Sequence, residues 1–167
     1  MCGVAGWLVA WPAWLAFVVL RDMSPWLLLA LAALVWVADI AAYFAGKRFG
    51  RRKLAPAISP GKTWEGVAGG MVGVVVYGAV LSWIAHSWST PLDAIFTPSL
   101  GVPAIVAMLL LTAVSIVGDL FESWMKRGAG LKDSSNLLPG HGGVLDRIDA
   151  LTSTLPVAAF VLYLAQR

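Results

Sequence analysis

The sequence predicts an all-α fold: a polytopic membrane bundle of about five transmembrane helices with a polar cavity facing the cytoplasm. Three observations predict it. Hydrophobic residues make up 59% of the 167 residues, charged residues 13%, and mean hydropathy is +0.80, whereas an average globular domain is about 45–50% apolar and about 25% charged. Five runs are long and apolar enough to be read as spans, at residues 3–20, 26–46, 66–85, 102–121 and 150–165. Lysine and arginine are confined almost wholly to two of the connecting segments. So little polar surface argues against a disordered chain or a nucleic-acid-binding domain. The single cysteine, Cys2, has no intrachain partner, and no Cys/His zinc spacing exists.

A bilayer core of ~30 Å needs about 20 mostly apolar helical residues, because hydrocarbon offers the backbone no hydrogen-bond partner. The first span has no Lys or Arg before it and is read as a retained helix rather than a cleaved signal. Its Trp7, Trp11 and Trp14 share one face, for lipid or helix contact. The second span holds Asp39, with Tyr43 one turn on as its obvious polar neighbour, and a structural hydrogen bond is the plainer reading of that aspartate. The third carries Gly66, Gly69, Gly70 and Gly73, two overlapping G-x-x-x-G pairs suited to close helix approach. The fourth carries Asp119 near its cytoplasmic end, and the fifth is short and contains Pro156, so a kinked or tilted helix is expected there. Trp26, Trp64, Trp83, Trp88 and Trp124 lie near span ends, as an interfacial aromatic belt requires.

Charge sets the orientation. Lys47, Arg48, Arg51, Arg52, Lys53 and Lys62 lie between spans two and three, and Lys126, Arg127, Lys132 and Arg147 between spans four and five. The segment from 86 to 101 has none, so the two charged segments are expected on the cytoplasmic side. The first carries six positive charges against Glu65 alone, and a topology signal or an anionic-lipid contact accounts for such a loop as well as a functional role does. The second balances four positive charges with Glu122, Asp133, Asp146 and Asp149. Neutral but charge-dense, that segment suggests a built site.

Asp119, Glu122, Ser123 and Lys126 recur at i, i+3, i+4 and i+7, one face of a helix leaving the membrane. Downstream, Pro139, Gly140, Gly142 and Gly143 surround His141 and disfavour a simple helix, allowing close backbone approach to a ligand. Asp146 and Asp149 follow one turn apart at the head of span five, where a helix N-terminus favours anions. Oxygen donors without soft partners favour Mg²⁺ over Zn²⁺, and magnesium is held by one or two carboxylates plus substrate phosphates. Asp119 and Asp146, on different elements, are one pair that could meet around such an ion. Lys126, Arg127, Lys132 and Arg147 would neutralise phosphate charge. Ser59-Pro60-Gly61-Lys62-Thr63 is no P-loop, since Pro56 stands where the first glycine is required. That turn either holds phosphate oxygens or caps span three.

These residues together resemble the signature of the phosphatidate cytidylyltransferases, or CDP-diacylglycerol synthases. The likeness runs through Ser123-Trp124-Met125-Lys126-Arg127, Lys132-Asp133, Ser135, Leu138-Pro139, His141-Gly142-Gly143 and Asp146-Arg147-Ile148-Asp149. Upstream it includes Asp39, Ala42-Tyr43, Gly46, Gly50, Ile58-Ser59-Pro60, Lys62-Thr63, Glu65-Gly66 and Gly69-Gly70. The resemblance implies attack of a phosphatidate oxygen on the α-phosphorus of CTP, giving CDP-diacylglycerol and pyrophosphate. It implies Mg²⁺, as one or two divalent cations, on the aspartates matching Asp119 and Asp146, with Asp149 and Glu122 as supporting ligands. Lys126, Arg127, Lys132 and Arg147 would contact phosphates, with Ser123 and Gly142-Gly143 beside the substrate. Ser59, Lys62 and Thr63 would close the site from the other loop, and His141 would orient a phosphate or the nucleotide. Gly61 departs from the family, which commonly has a lysine there.

The family usually carries further helices before this region. Residues 1–167 are therefore expected to form a single membrane domain matching the C-terminal part of a longer chain, with the catalytic signature at 119–149. The expected partners are CTP, phosphatidate and membrane lipid, not nucleic acid, with room for a homodimer, in a bacterial inner membrane. The competing readings are a CTP-dependent lipid-alcohol kinase, a catalytically silent relative, and an ion-coupled transporter using the intramembrane carboxylates.

Overall fold

The fold is known from a computed structural model, which describes residues 2–87, 101–131 and 145–165. Five helices and one small hairpin follow in chain order: α1 (Cys2–Met23), α2 (Pro25–Phe49), β1 (Lys53–Ala55), β2 (Ser59–Thr63), α3 (Trp64–Ser87), α4 (Gly101–Gly128) and α5 (Leu145–Ala165). This is the expected α-helical membrane bundle, with a β-hairpin where only a basic loop was foreseen.

One residue separates α1 from α2. Ser24 closes the first helix by donating its N–H to the Leu20 carbonyl (3.0 Å), and its hydroxyl accepts from the Leu27 N–H (3.4 Å). Pro25 follows at the first helical position, where a missing N–H costs nothing. At the far end of α2, the Gly50 N–H bonds the Gly46 carbonyl (3.0 Å) and the chain turns into the hairpin. The strands run antiparallel, Lys53 opposite Thr63 and Ala55 opposite Ser59, with an irregularity between the pairs. Two strands of three and five residues, holding Pro60 and Gly61, give almost no period-two signal. Proline is tolerated there because each strand has a free edge.

Thr63 ends the hairpin and starts α3. Its buried hydroxyl accepts the Gly66 N–H at 3.1 Å, an N-cap bond, so the capping role foreseen for this turn is realised. Glu65, in the first turn, accepts the Arg52 N–H (3.2 Å) and ties the hairpin to the helix.

The G-x-x-x-G glycines of α3 lie against α2. A Cβ at Gly69 would stand 2.2 Å from the Ala45 Cβ, one at Gly73 2.5 Å from the Ala41 Cβ, and one at Gly66 2.9 Å from the Ala42 carbonyl. Those distances are too short for any larger residue, so α2 and α3 pack closely along a glycine-lined seam. The second pair, α4–α5, meets at one such point: a Cβ on Gly118 would lie 1.9 Å from the Ser153 hydroxyl. Buried Thr112 and Thr154 return their hydroxyls to the carbonyls of Met108 (2.8 Å) and Ala150 (2.7 Å), four residues back. Both thereby satisfy themselves inside the helix.

Two apolar clusters join the pairs. Leu34, Val35 and Ala38 of α2 meet Val74, Met108 and Ala150, while Ala16 and Leu20 of α1 meet Leu27 and Leu155. Outside them, Trp7, Trp11, Trp14, Phe44, Trp83 and Phe160 are exposed. Such a surface suits lipid rather than water. Among the described residues, α2, α3 (to Ala85) and α4 (from Pro103) are long and apolar enough to cross a bilayer. The apolar run of α5, Ile148–Leu164, is shorter, as expected for span five.

Candidate active site

The hairpin end of the bundle opens into a cleft of about 510 Å³ between α2, the hairpin, α3 and α4. From α2 come Asp39, Tyr43, Gly46 and Lys47; from the hairpin Lys53, Ser59, Lys62 and Thr63; from α4 Ile116 and Asp119. Residues 39, 43, 46, 47 and 50 recur at helical spacing, so one face of α2 forms a whole wall. The glycines on it let the hairpin fold close: a Cβ at Gly46 would be 3.0 Å, and one at Gly50 2.9 Å, from Thr63 side-chain atoms.

At the cleft's centre Lys62 forms an ion pair with Asp119. Both side chains are about a quarter exposed (26% and 23%), within reach of a ligand yet out of bulk water. The second oxygen of Asp119 accepts a bond from the Ser123 hydroxyl at 3.4 Å, one turn along α4. Asp39 from α2 and Asp149 from α5 lie within electrostatic reach of Asp119, and each also feels the Lys62 charge. Four elements remote in sequence therefore bring three carboxylates and a lysine into one field.

Of the residues selected from sequence, Asp119, Lys62, Ser59 and Thr63 line the cleft, and Ser123 touches Asp119. Thr63 spends its hydroxyl on the α3 cap and faces the cleft otherwise engaged. Asp149 stands in the first turns of α5, its carboxylate accepting the Ala150 N–H at 2.7 Å. Lys126 is within electrostatic reach of Asp149 and pairs with Glu122 at 3.3 Å. Glu122 is not brought to the cleft. It is buried (7% exposed) beside Val9, Pro12, Met125 and Pro156, in a separate cavity of about 340 Å³ between α1, α4 and α5. Arg127 is exposed at the end of α4. Asp146 and Arg147 belong to the first turn of α5, three and two residues before Asp149, and their side chains lie outside the described residues. Lys132, His141, Gly142 and Gly143 also lie outside them.

Sequence reasoning missed three charged cleft residues. Asp39, Lys47 and Lys53 were left as a structural hydrogen bond and two topology charges, yet all line the cavity. The signal was the shared face of Asp39, Tyr43, Gly46 and Lys47, one helical stripe running from mid-span into the basic loop. Gly61 also lines the cleft, and a Cβ there would meet nothing within 4 Å, so the open position accepts a larger side chain.

The chemistry of the donors can be judged from this geometry. Among the described residues no three His, Cys, Asp or Glu side chains are close enough to hold a metal ion by themselves. A hard cation that takes one or two carboxylates and completes its shell with water and phosphate oxygens needs no such trio. The ammonium of Lys62 already sits as a cation on Asp119, so the carboxylate set fits a cation. Lys47, Lys53 and Lys62 give the same cleft a strong preference for an anion. A site that suits both at once suits a metal-bound phosphate.

Comparison with known proteins adds a family. The model of the Cytidylyltransferase family matches residues 1–165. A phosphatidate cytidylyltransferase of Pseudomonas aeruginosa is 50% identical over 162 residues, covering 96% of this chain and 56% of that protein. One from Haemophilus influenzae is 45% identical over 137 residues (82% and 46%), and one from Bacillus subtilis 41% over 133 (78% and 45%). The chain thus spans about half the length of the curated relatives it matches.

Proposed function

Because this chain belongs to the cytidylyltransferase family, we propose that it carries the catalytic half of a CTP:phosphatidate cytidylyltransferase. One observation carries the reading: Lys62 and Asp119 meet in a lysine-lined cleft, with Asp39 and Asp149 in the same field. In the proposed reaction a phosphatidate oxygen attacks the α-phosphorus of CTP. The bond from that phosphorus to the bridging oxygen of the β-phosphate breaks, and pyrophosphate leaves with the electron pair. The nucleophile is an ionised phosphate, so no protein base is required to remove a proton.

The chain's own residues then act by position and charge. Lys47, Lys53 and Lys62 attract and orient the triphosphate. Lys126, Arg127, Lys132 and Arg147 are assigned to phosphate oxygens from the α4–α5 side, and Ser59, Ser123, Thr63, His141, Gly142 and Gly143 to the substrate-binding wall. Asp119 and Asp146 would hold Mg²⁺, with Asp149 and Asp39 near them. Glu122, which lines the neighbouring cavity and pairs with Lys126, is better suited to fixing Lys126 than to a place on the ion. Magnesium, when bound, would withdraw charge from the phosphates and the departing pyrophosphate.

The clustering of Lys and Arg at the hairpin end supports a cytoplasmic site in a bacterial inner membrane. Residues 1–167 are read as one membrane domain carrying the signature at 119–149, and a homodimer is compatible with its exposed apolar faces.

The test is to mix purified protein with CTP, phosphatidate and Mg²⁺ and measure pyrophosphate and CDP-lipid. Release that depends on phosphatidate and disappears with EDTA is expected. CDP formation with a lipid alcohol would replace this reading by a kinase; no turnover, with ion flux in liposomes, would replace it by a transporter.

A further inference from the structure

On the far side of α4 from the cleft lies a second and larger cavity, about 750 Å³, walled by α2, α4 and α5 with Tyr77 of α3. Its wall is hydrocarbon: Leu27, Leu34, Met108, Val114, Val157 and Val161 are representative. The two hydroxyls that reach it are already engaged. Tyr77 donates to the Ala30 carbonyl (2.9 Å), and Ser153 to the carbonyls of Ala150 (3.0 Å) and Val114 (3.4 Å). The cavity is open along one side, where Leu110, Val117 and Val161 are exposed. Its wall offers too few of the two to four polar partners that water needs, so an apolar group is what gives the lining its contacts. The volume falls in the ordinary range for ligand sites, about 300–1,000 Å³. Within a bilayer the occupant matching such a wall is an acyl chain.

Its length and position say whose chain. Along α4 the lining runs from Ala104 to Gly118, roughly 21 Å at about 1.5 Å rise per residue, more than the ~15 Å of one leaflet's hydrocarbon. At the hairpin end it finishes at Gly118 and Ser153. Gly118 adjoins Asp119, and Ser153 lies one turn after Asp149. A lipid whose chain filled the cavity would therefore bring its phosphate to the level of α4 at which Asp119 stands on the opposite face. We infer that this cavity is the slot for one acyl chain of the lipid substrate, an inference that rests on the reading of phosphatidate as that substrate. At that end of the slot Gly118 lets α4 approach Ser153 closely, since a Cβ there would collide with the Ser153 side chain.

The experiment uses phosphatidate with a photoactivatable diazirine midway along one acyl chain, with the protein in phosphatidylcholine vesicles and no CTP. After irradiation, labelled peptides are mapped by mass spectrometry. Labelling of Met108, Val114 or Val157, lost on adding excess unlabelled phosphatidate, is expected. Ala113→Phe should remove most of it by filling the slot. Ala104→Phe, at the opposite end, should spare short-chain phosphatidate and exclude long-chain, which keeps the test decisive if Ala113→Phe folds poorly. Equal labelling by a phosphatidylcholine probe would overturn the inference, since bulk lipid would then be the occupant. Labelling confined to the exposed outer faces would overturn it too. CDP-lipid formation without slot labelling would remove the slot and leave the reaction; competed slot labelling without any turnover would remove the reaction and leave a lipid site.

Discussion

On one side of α4, Ile116 and Asp119 face a cleft lined by Lys47, Lys53 and Lys62; on the other, Val114, Val117 and Gly118 face a cavity walled almost wholly by hydrocarbon. The difference arises from the two helix pairs. Glycines clamp α2 to α3 at Gly69 and Gly73, and the charged side chains gather at the hairpin end of that pair. The α4–α5 pair touches closely at Gly118 and Ser153 and leaves space above and below that point, as cavities of about 750 and 340 Å³. Tight packing thus builds a rigid charged wall, and loose packing builds room for hydrocarbon. One helix separates the charged cleft from the apolar cavity, with Asp119 lining the first and Gly118 the second.

That division can be broken from either side. The largest effect is expected at the ion pair: Asp119→Asn removes the charge on which Lys62 and Ser123 converge. It should lower kcat/KM for CDP-lipid formation by about 10³-fold, measured as pyrophosphate release, at the upper end of losses seen for a preorganised charged group. Lys62→Met should cost about 10²-fold, with Lys62→Arg recovering part of it, since either cation can attract phosphate but their donor geometries differ. A loss with Lys62→Met and none with Asp119→Asn would reverse their order and move the centre of the site to the hairpin.

Packing changes come next. Gly69→Val should force α2 and α3 apart, costing about 1–3 kcal/mol as a lower thermal midpoint in detergent. Thr63→Val removes the cap bond to Gly66 and should cost about 1 kcal/mol, restored by Thr63→Ser. Least of all is expected from Arg21→Ala. Its 2.7 Å pair with Asp22 has both side chains more than half exposed, and exposed pairs contribute about 0–1 kcal/mol. A large loss there would mean that the α1–α2 junction does more than connect.

The parts of this comparison were unequally legible in the sequence. The helices were readable because a bilayer demands long apolar runs, and the α2–α3 clamp because glycines at 66, 69, 70 and 73 have few other uses in a membrane helix. Asp119, Lys62 and Ser59 were found from local charge and turn chemistry. Asp39 was missed because Lys62 and Asp119, whose charges reach it, are remote along the chain and only folding brings them near. The hairpin was missed because strands of three and five residues with proline and glycine leave no alternation to read. The apolar cavity was not legible at all: leucines and valines that line a slot look like those that fill a core, and the spacing between helices decides which they do. The signature loop at 132–144 carries much of the family resemblance and lies outside the described residues.

Chemical cross-linking tests the meeting of Lys62 and Asp119 directly. In a Cys2→Ser background, Lys62→Cys with Asp119→Cys is treated in membranes with a short bismethanethiosulfonate reagent, beside Asp22→Cys with Asp119→Cys as the distant pair. The account predicts an intramolecular bridge between positions 62 and 119 and none between 22 and 119. Failure of the first pair to bridge, or equal bridging by the second, would contradict it.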